Sequence, residues 1–217
     1  MSKLTKRRFR VWATVAVLVV LILAVRLVED IGFDRKPTDR FTVTAIIDGD
    51  TMELGGGDRL RLLSIDTPEK DEPFYQEATD FLTEMALGKT ARIEFADTRR
   101  DRYGRLLGYV YIDGIFINEA ILENGLGNLY LFRDTDVDRP ETGCMLSAQR
   151  RAIAARKGIW SITRHPEESY IAKNTSFRFH RPGCASAARL KKGSYRVFRI
   201  REEALMEGLS PCRNCKP

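Results

Sequence analysis

Histidine and cysteine are scarce in this chain, at two and four of 217 residues. So few imidazoles exclude a histidine-rich transition-metal centre, and four cysteines over this length exclude a small secreted scaffold held by dense disulfides. Chemistry that needs a hard cation must therefore draw on carboxylates and carbonyls. Long apolar runs are missing everywhere except at the start: beyond Val28 none approaches the roughly 20 residues that a membrane helix needs, so a span can lie only at the N-terminus. Acidic residues are thin at both ends. Residues 1–40 hold nine Lys and Arg against four Asp and Glu, and residues 163–217 hold twelve against five, whereas residues 41–162 hold fifteen against twenty-one; the formal net charge is +6. An acidic middle repels phosphate unless several of its carboxylates sit on a cation. The basic tail is the natural electrostatic partner for a polyanion. The length allows one medium domain with attachments.

What is present is concentrated in three short segments: Asp48-Gly49-Asp50-Thr51, then Arg61 to Glu69 (Arg-Leu-Leu-Ser-Ile-Asp-Thr-Pro-Glu), then Asp101-Arg102-Tyr103-Gly104-Arg105. Asp50 and Asp66, brought together, offer oxygen ligands to calcium or a similar ion, with carbonyls and water completing the shell. Arg61 and Arg105 carry planar, permanently charged forks that grip phosphate oxygens in pairs and offset the charge of a pentacovalent transition state. Glu69 is the candidate base for a water aimed at phosphorus. Taken singly, each segment has a bland reading. Asp-Gly-Asp-Thr is a turn-forming sequence, Arg61 suits a snorkelling strand position, and Asp101 to Arg105 suits a solvated hairpin. Their joint occurrence is what points to phosphodiester chemistry.

These motifs, in this order and at this spacing, resemble the staphylococcal (thermo)nuclease family over about Phe41 to Trp160. The resemblance implies that Asp50 and Asp66 are calcium ligands, that Thr67 ligates through its backbone carbonyl, and that Asp48 supports them from behind. It implies that Arg61 and Arg105 bind the scissile phosphate and that Glu69 is the general base. It further implies cleavage of DNA and RNA with little sequence preference, breaking the P–O5′ bond to leave 3′-phosphates. Tyr103 would lie near a bound phosphate and Tyr130 would stack on a base, a sequence-tolerant contact; ordinary barrel packing is the alternative for Tyr130. The chain departs from the family in the loop after Glu69, where Lys70-Asp71-Glu72-Pro73 runs directly into a helix and is shorter than the lysine-rich loop of the best-known member.

The pattern of the middle segment predicts an α+β, mainly β, fold. Phe41–Ile47, Thr51–Leu54, Leu60–Ile65, Lys89–Phe95 and Leu106–Ile112 read as five strands. Phe74–Leu87, Ile117–Asn124 and Ser147–Lys157 read as helices ended by Gly88, Gly125 and Gly158. A five-stranded barrel with packed helices fits the OB-fold, which is also what the resemblance implies. Ahead of it, Lys3, Lys6, Arg7, Arg8 and Arg10 precede an apolar run from Val11 to Val25. The charge order predicts a transmembrane helix with its N-terminus in the cytoplasm. Leu23-Ala24-Val25-Arg26 is a poor cleavage site, which favours an uncleaved anchor. The expected organisation is a basic stub and anchor (1–28), a linker (29–40), the nuclease-like domain (41–162), a second linker (163–176) and a small module (177–217).

That module carries His180-x3-Cys184 and Cys212-x2-Cys215, four soft or borderline ligands in two close pairs that suit tetrahedral zinc. It resembles the Ada-type metal-binding module, with His180 in place of the first cysteine. The replacement keeps a zinc-competent set and removes the all-thiolate site that methyl transfer requires, so only structural metal binding is carried over. About 40 residues fold poorly on apolar burial alone, which fits a metal staple; a disulfide among Cys184, Cys212 and Cys215 is the competing reading. Cys144 reads as a free thiol on a Thr142-Gly-Cys-Met loop. Arg178, Arg181, Arg189, Lys191, Lys192, Arg196 and Arg199 are candidates to track a nucleic-acid backbone.

The expectation is therefore a monomeric, single-pass, calcium-dependent nuclease of the bacterial inner membrane, with its catalytic domain periplasmic or extracellular, a structural zinc in its tail, and DNA and RNA as substrates. Its rivals are a non-catalytic OB-fold protein that captures nucleic acid, and a metal or redox sensor in which the tail is the working part.

Overall fold

The computed structural model describes residues 39–132, 139–188, 190–191 and 193–217. The expected membrane helix over 1–28 and almost all of the 29–40 linker lie outside the described residues, as do Arg189 and Lys192. Among the described residues no helix is long and apolar enough to cross a membrane. Residues Asp39–Pro217 form one compact unit.

All five expected barrel strands are present. Strands β1 (Asp39–Asp48), β2 (Thr51–Leu54) and β3 (Arg59–Leu62) form an antiparallel meander, and β5 (Thr90–Arg100) and β6 (Leu106–Ile112) form a long hairpin against β1. Parallel pairing of β3 with β6, Leu60 opposite Leu106 and Leu62 opposite Gly108, closes the sheet into a five-stranded barrel. Closure leaves no open edge among these strands. The inward residues explain the register, because Val43 pairs with Leu54, Met52 with Leu60 and Ile93 with Val110, and all six are buried. A one-residue slip would turn those side chains to solvent. This is the OB architecture expected of the sequence.

Strand β3 stops at Leu62, short of the expected Ile65. Leu63 and Ser64 turn the chain, with Ser64 in the left-handed region at φ 60°. The turn is held from inside: buried Asn118 donates from Nδ2 to the Leu63 carbonyl at 2.9 Å, and Ser64 Oγ lies 2.9 Å from the Tyr109 hydroxyl. The chain then resumes as the two-residue strand β4 (Ile65–Asp66), paired with β8 (Asn128–Leu129). Between them run helix α1 (Tyr75–Ala86), the short strand β7 (Ile115–Phe116) and helix α2 (Ile117–Glu123).

Helix α3 spans Pro140–Ala154, starting well before the expected Ser147. Pro140 opens it, a favoured first helical residue because its missing N–H has no intrahelical partner to lose. Cys144 therefore sits on a helix and not on a loop, with its thiol donating to the Glu141 carbonyl at 3.1 Å. Met145 and Ala148 of α3 belong to the barrel core, while Ala152 belongs to a second core with Trp160, Tyr170, Phe179, Phe198 and Leu205. One helix thus serves both. A short 3-10 turn, Gly158–Ser161, follows it, and here Gly125 and Gly158 meet backbone to backbone. Both have positive φ, and a Cβ on either would stand within 2.3 Å of the other segment's carbonyl oxygen, so only glycine fits.

The tail forms a second sheet in the order β11 (Tyr195–Phe198), β9 (Tyr170–Lys173), β10 (Arg178–His180), β12 (Ser210–Pro211), with helix α4 (Arg201–Met206) beside it. Strand β9 lies within the stretch 163–176 read from the sequence as a linker. Its isolated Tyr-Ile-Ala-Lys is too short to announce itself without its partners.

Candidate active site

Asp48 ends β1, Asp50 follows two residues later, and the tight turn between β1 and β2 holds them together. The Asp50 backbone N–H bonds Asp48 Oδ1 at 3.1 Å. Asp50 is buried. Its Oδ1 accepts from the Thr51 hydroxyl at 3.0 Å, and its Oδ2 accepts from the Thr67 backbone N–H and hydroxyl at 3.2 and 3.1 Å. Gly49 permits this approach: a Cβ there would stand 2.7 Å from the Ala78 methyl and 2.9 Å from Thr67 Oγ1.

Arg61, pointing from β3, sits between the two acids. Its Nη2 lies 2.8 Å from Asp50 Oδ2 and 3.4 Å from Asp66 Oδ1. The same guanidinium donates to the carbonyls of Leu62 (2.7 Å) and Ile65 (2.9 Å), so it also pins the turn that delivers Asp66. Strand β4 holds Asp66 in place through its pairing with Asn128. Burial pushes the Asp66 carboxyl above its usual range despite Arg213 and Arg61 beside it, and burial followed by the Asp50 charge does the same to Asp48. Carboxylates converging from two segments, the β1–β2 turn and β4, with oxygen as the only ligand type, form the donor set a hard cation selects.

Glu69 is exposed and lines a cleft of about 350 Å³ together with Asp66 and Thr67. The short loop after it is closed on itself: the Glu69 N–H bonds Glu72 Oε2 and the Glu72 N–H bonds the Glu69 carbonyl, both at 2.9 Å. Arg105 does not line that cleft, but it precedes β6, whose Leu107 pairs with Arg61 on β3. It follows the turn after β5, lines a separate shallow depression with Tyr103 and Arg59, and is gripped by Asp101, which accepts from its Nε at 2.8 Å and its backbone N–H at 3.0 Å. Burial alone would raise Asp101, but the Arg105 guanidinium and the turn's N–H groups outweigh it and hold the carboxyl below the ordinary range. Tyr103 is 68 % exposed, with its hydroxyl accepting from Arg102 at 2.6 Å. Tyr130 is half-buried beneath two guanidinium groups, Arg178 at 3.3 Å and Arg213 at 4.7 Å from its ring centre.

The opposite wall of the Glu69 cleft belongs to the tail, and the sequence reading missed it. Arg213 donates from Nε to Asp66 Oδ2 at 3.4 Å and from Nη2 to Oδ1. Lys216 pairs with Glu72 at 2.5 Å, and Arg201 and Arg164 line the same cleft. The available signal was the position of Arg213 between Cys212 and Cys215, a cation inside a ligand pair.

His180, Cys184, Cys212 and Cys215 do come together: one ligand atom from each lies within 4.8 Å of every other. Pairing of β10 with β12 places Phe179 opposite Pro211, and the Cys212 N–H bonds the Phe179 carbonyl at 3.0 Å, so His180 and Cys212 are neighbours by register. The Arg181 N–H points at Cys215 Sγ (3.4 Å). All four cysteines of the chain are free thiols. His180 Nδ1 is buried with no hydrogen-bond partner among the described residues. Burial, with Cys184 and Cys212 alongside, pushes the Cys215 thiol up to about 12. An orphaned imidazole nitrogen beside crowded thiols fits a bound cation, which would satisfy the nitrogen and favour thiolates.

The family model for staphylococcal nuclease homologues matches residues 59–162, so the tail lies outside the match. The chain is 30% identical over 139 residues to a thermonuclease of Staphylococcus hyicus, covering 60% of this chain and 80% of that protein. It is 34% identical over 123 residues to an uncharacterized endonuclease of Escherichia coli O157:H7, covering 55% and 75%. To a probable staphylococcal-like nuclease of Oryza sativa it is 32% identical over 139 residues, spanning 64% of this chain and only 37% of the rice protein. Matched from β3 onward, over the segments that carry Arg61, Asp66, Glu69 and Arg105, and 30% identical to a thermonuclease covered over 80% of its length, the chain belongs to the staphylococcal nuclease homologue family.

Proposed function

We propose that this protein is a calcium-dependent nuclease that hydrolyses phosphodiester bonds of DNA and RNA. The observation that carries this reading is the convergence of Asp50 and Asp66 on one arginine at the edge of the cleft that Glu69 lines. In this reading Asp50, Asp66 and the Thr67 carbonyl hold calcium, with Asp48 fixing the Asp50 backbone. Calcium, when bound, offsets charge on the phosphate. Arg61, released from the carboxylates that share it, grips the scissile phosphate with Arg105. Glu69 accepts a proton from the water that attacks phosphorus, opposite the departing O5′. The new P–O bond forms as P–O5′ breaks, the departing 5′-oxygen takes its proton from solvent water, and a 3′-phosphate remains. Tyr103 contacts phosphate from the exposed turn, and Tyr130 offers a stacking face.

The tail contributes a structural zinc held by His180, Cys184, Cys212 and Cys215. The N-terminal basic and apolar run supports an uncleaved anchor in the bacterial inner membrane with the catalytic unit on the far side.

Glu69→Gln tests the reading. The variant should lose at least 100-fold in kcat against single-stranded DNA while binding it in calcium as the wild type does, and EGTA should silence the wild type. Near-normal turnover by Glu69→Gln would sink the mechanism. Binding without cleavage by the wild type in any divalent ion would instead show a nucleic-acid capture protein.

A further inference from the structure

The basic wall that the tail sets across the cleft has no part in the chemistry assigned above. Arg201 is the telling residue. It is only 9% exposed, yet among the described residues no Asp or Glu side chain lies within ion-pair distance of it. Its Nε donates to a main-chain oxygen of Pro217, the last residue of the sequence, at 2.8 Å, and its guanidinium carbon lies 5.6 Å from the centre of the Trp160 ring and 6.0 Å from that of Phe179. Burial, and after it the nearby Arg164 charge, pull Arg201 down to about 10, so the protein holds a cation here at a cost and beside a like charge. A buried guanidinium whose Nη1 and Nη2 take no hydrogen-bond partner among the described residues, lining the cleft next to a second arginine, is arranged for an anion.

Arg213 joins that wall to the catalytic acids. It reaches Asp66 with two nitrogens and lies over Tyr130, and Arg201, Arg213 and Lys216 line the same cleft as Glu69. The cleft thus has carboxylates on the barrel side and cations on the tail side. A substrate phosphate held on the carboxylate side through a cation leaves its neighbour along the strand facing the cations. The loop Cys212-Arg213-Asn214-Cys215 is fixed at both ends by members of the Cys/His cluster, and the Lys216 N–H returns to the Cys212 carbonyl at 2.8 Å. Arg213 is therefore presented by a short, tied loop.

We infer that Arg201 and Arg213 form a second phosphate subsite, which receives the phosphate next to the scissile one in a bound nucleic-acid strand. The site rests on the nuclease reading for its neighbour, but its ligand is recognised independently. Binding there needs at least two phosphodiesters, and the tail is in this sense part of the active site.

The test uses the full chain carrying Glu69→Gln, so that binding is read without cleavage, with and without Arg213→Gln. Arg213 is half-exposed, so its loss should leave the fold intact, as a thermal melt would check. In calcium, Arg213→Gln should weaken binding of a single-stranded DNA octamer about 10-fold and lower the slope of log K against log salt by about 0.7. A dinucleotide with one phosphodiester should bind both proteins alike. Arg201→Lys, which keeps the buried charge but loses the fork, should act in the same direction. Equal weakening on the dinucleotide would place Arg213 at the scissile phosphate and overturn the second subsite. Unchanged or tighter octamer binding would make Arg213 a plug over Asp66 and overturn it as well. Failure of the nuclease reading is separable, because it appears as absent cleavage by the wild type whatever Arg213 does to binding.

Discussion

Gln149 joins the barrel to the tail, and substituting it should uncouple them. Its side chain is fully buried on α3; Oε1 accepts from the Leu129 N–H at 2.7 Å and Nε2 donates to the Leu205 carbonyl at 2.9 Å. Leu129 lies on β8, beside the strand that carries Asp66, and Leu205 lies on α4 of the tail. Gln149→Ala leaves a buried donor and a buried acceptor without partners, at about 1–3 kcal/mol each, so the loss should be roughly 2–6 kcal/mol. Against a total stability of about 5–15 kcal/mol this is large. Gln149→Glu is the sharper probe. It keeps the acceptor for Leu129, but when ionised it sets a buried carboxylate against the Leu205 carbonyl, which raises its folded-state pKa above the unfolded value of about 4.3. A raised pKa means that relative stability is greatest below the unfolded value and is lost as pH rises through the folded one. Urea unfolding of Asp39–Pro217 from pH 4 to 8, each variant compared with wild type at the same pH, should show Gln149→Glu close to wild type at pH 4 and much weaker at pH 8. A Gln149→Glu curve parallel to wild type across that range, or a Gln149→Ala loss below about 0.5 kcal/mol, would refute the bridging role.

Two further outcomes follow from the same contacts. Purified protein should carry about one zinc per chain by elemental analysis; removing it should lower the thermal midpoint and let a thiol reagent reach Cys184, Cys212 and Cys215, with no change in the rate at Cys144, which lies outside the cluster. Asp101→Asn should lower kcat/KM about 10- to 100-fold with the fold intact, because Arg105 loses the carboxylate that aims it. Circular dichroism and steady-state kinetics together check this.

The local signals were strong where one element carries its own pattern. Phe41–Ile47 and Leu106–Ile112 are rich in β-branched and aromatic residues, so their partners hardly matter to their identity, and both are barrel strands. Strands of two to four residues, such as Tyr170–Lys173 or Ile65–Asp66, carry too few residues for a period to show, and only pairing with distant segments makes them strands. The early start of α3 was hidden for a related reason: Thr142 and Gly143 are poor helix formers, and packing of Met145 and Ala148 against the barrel overrides them. The acids and arginines of the site were legible because hard-cation and phosphate chemistry admits few residue types.

By itself, then, the sequence determined the residue types, namely clustered carboxylates, arginines and four soft ligands, together with the periodicities that make a five-stranded barrel. Only the tertiary structure decided who faces whom. Arg213 and Asp66 are 147 positions apart, and no local pattern relates them. They meet because α3 shares its buried face between two cores and Gln149 and Ser210 tie the tail to Leu129. Such meetings depend on the summed packing of the whole unit, which short-range propensity does not encode.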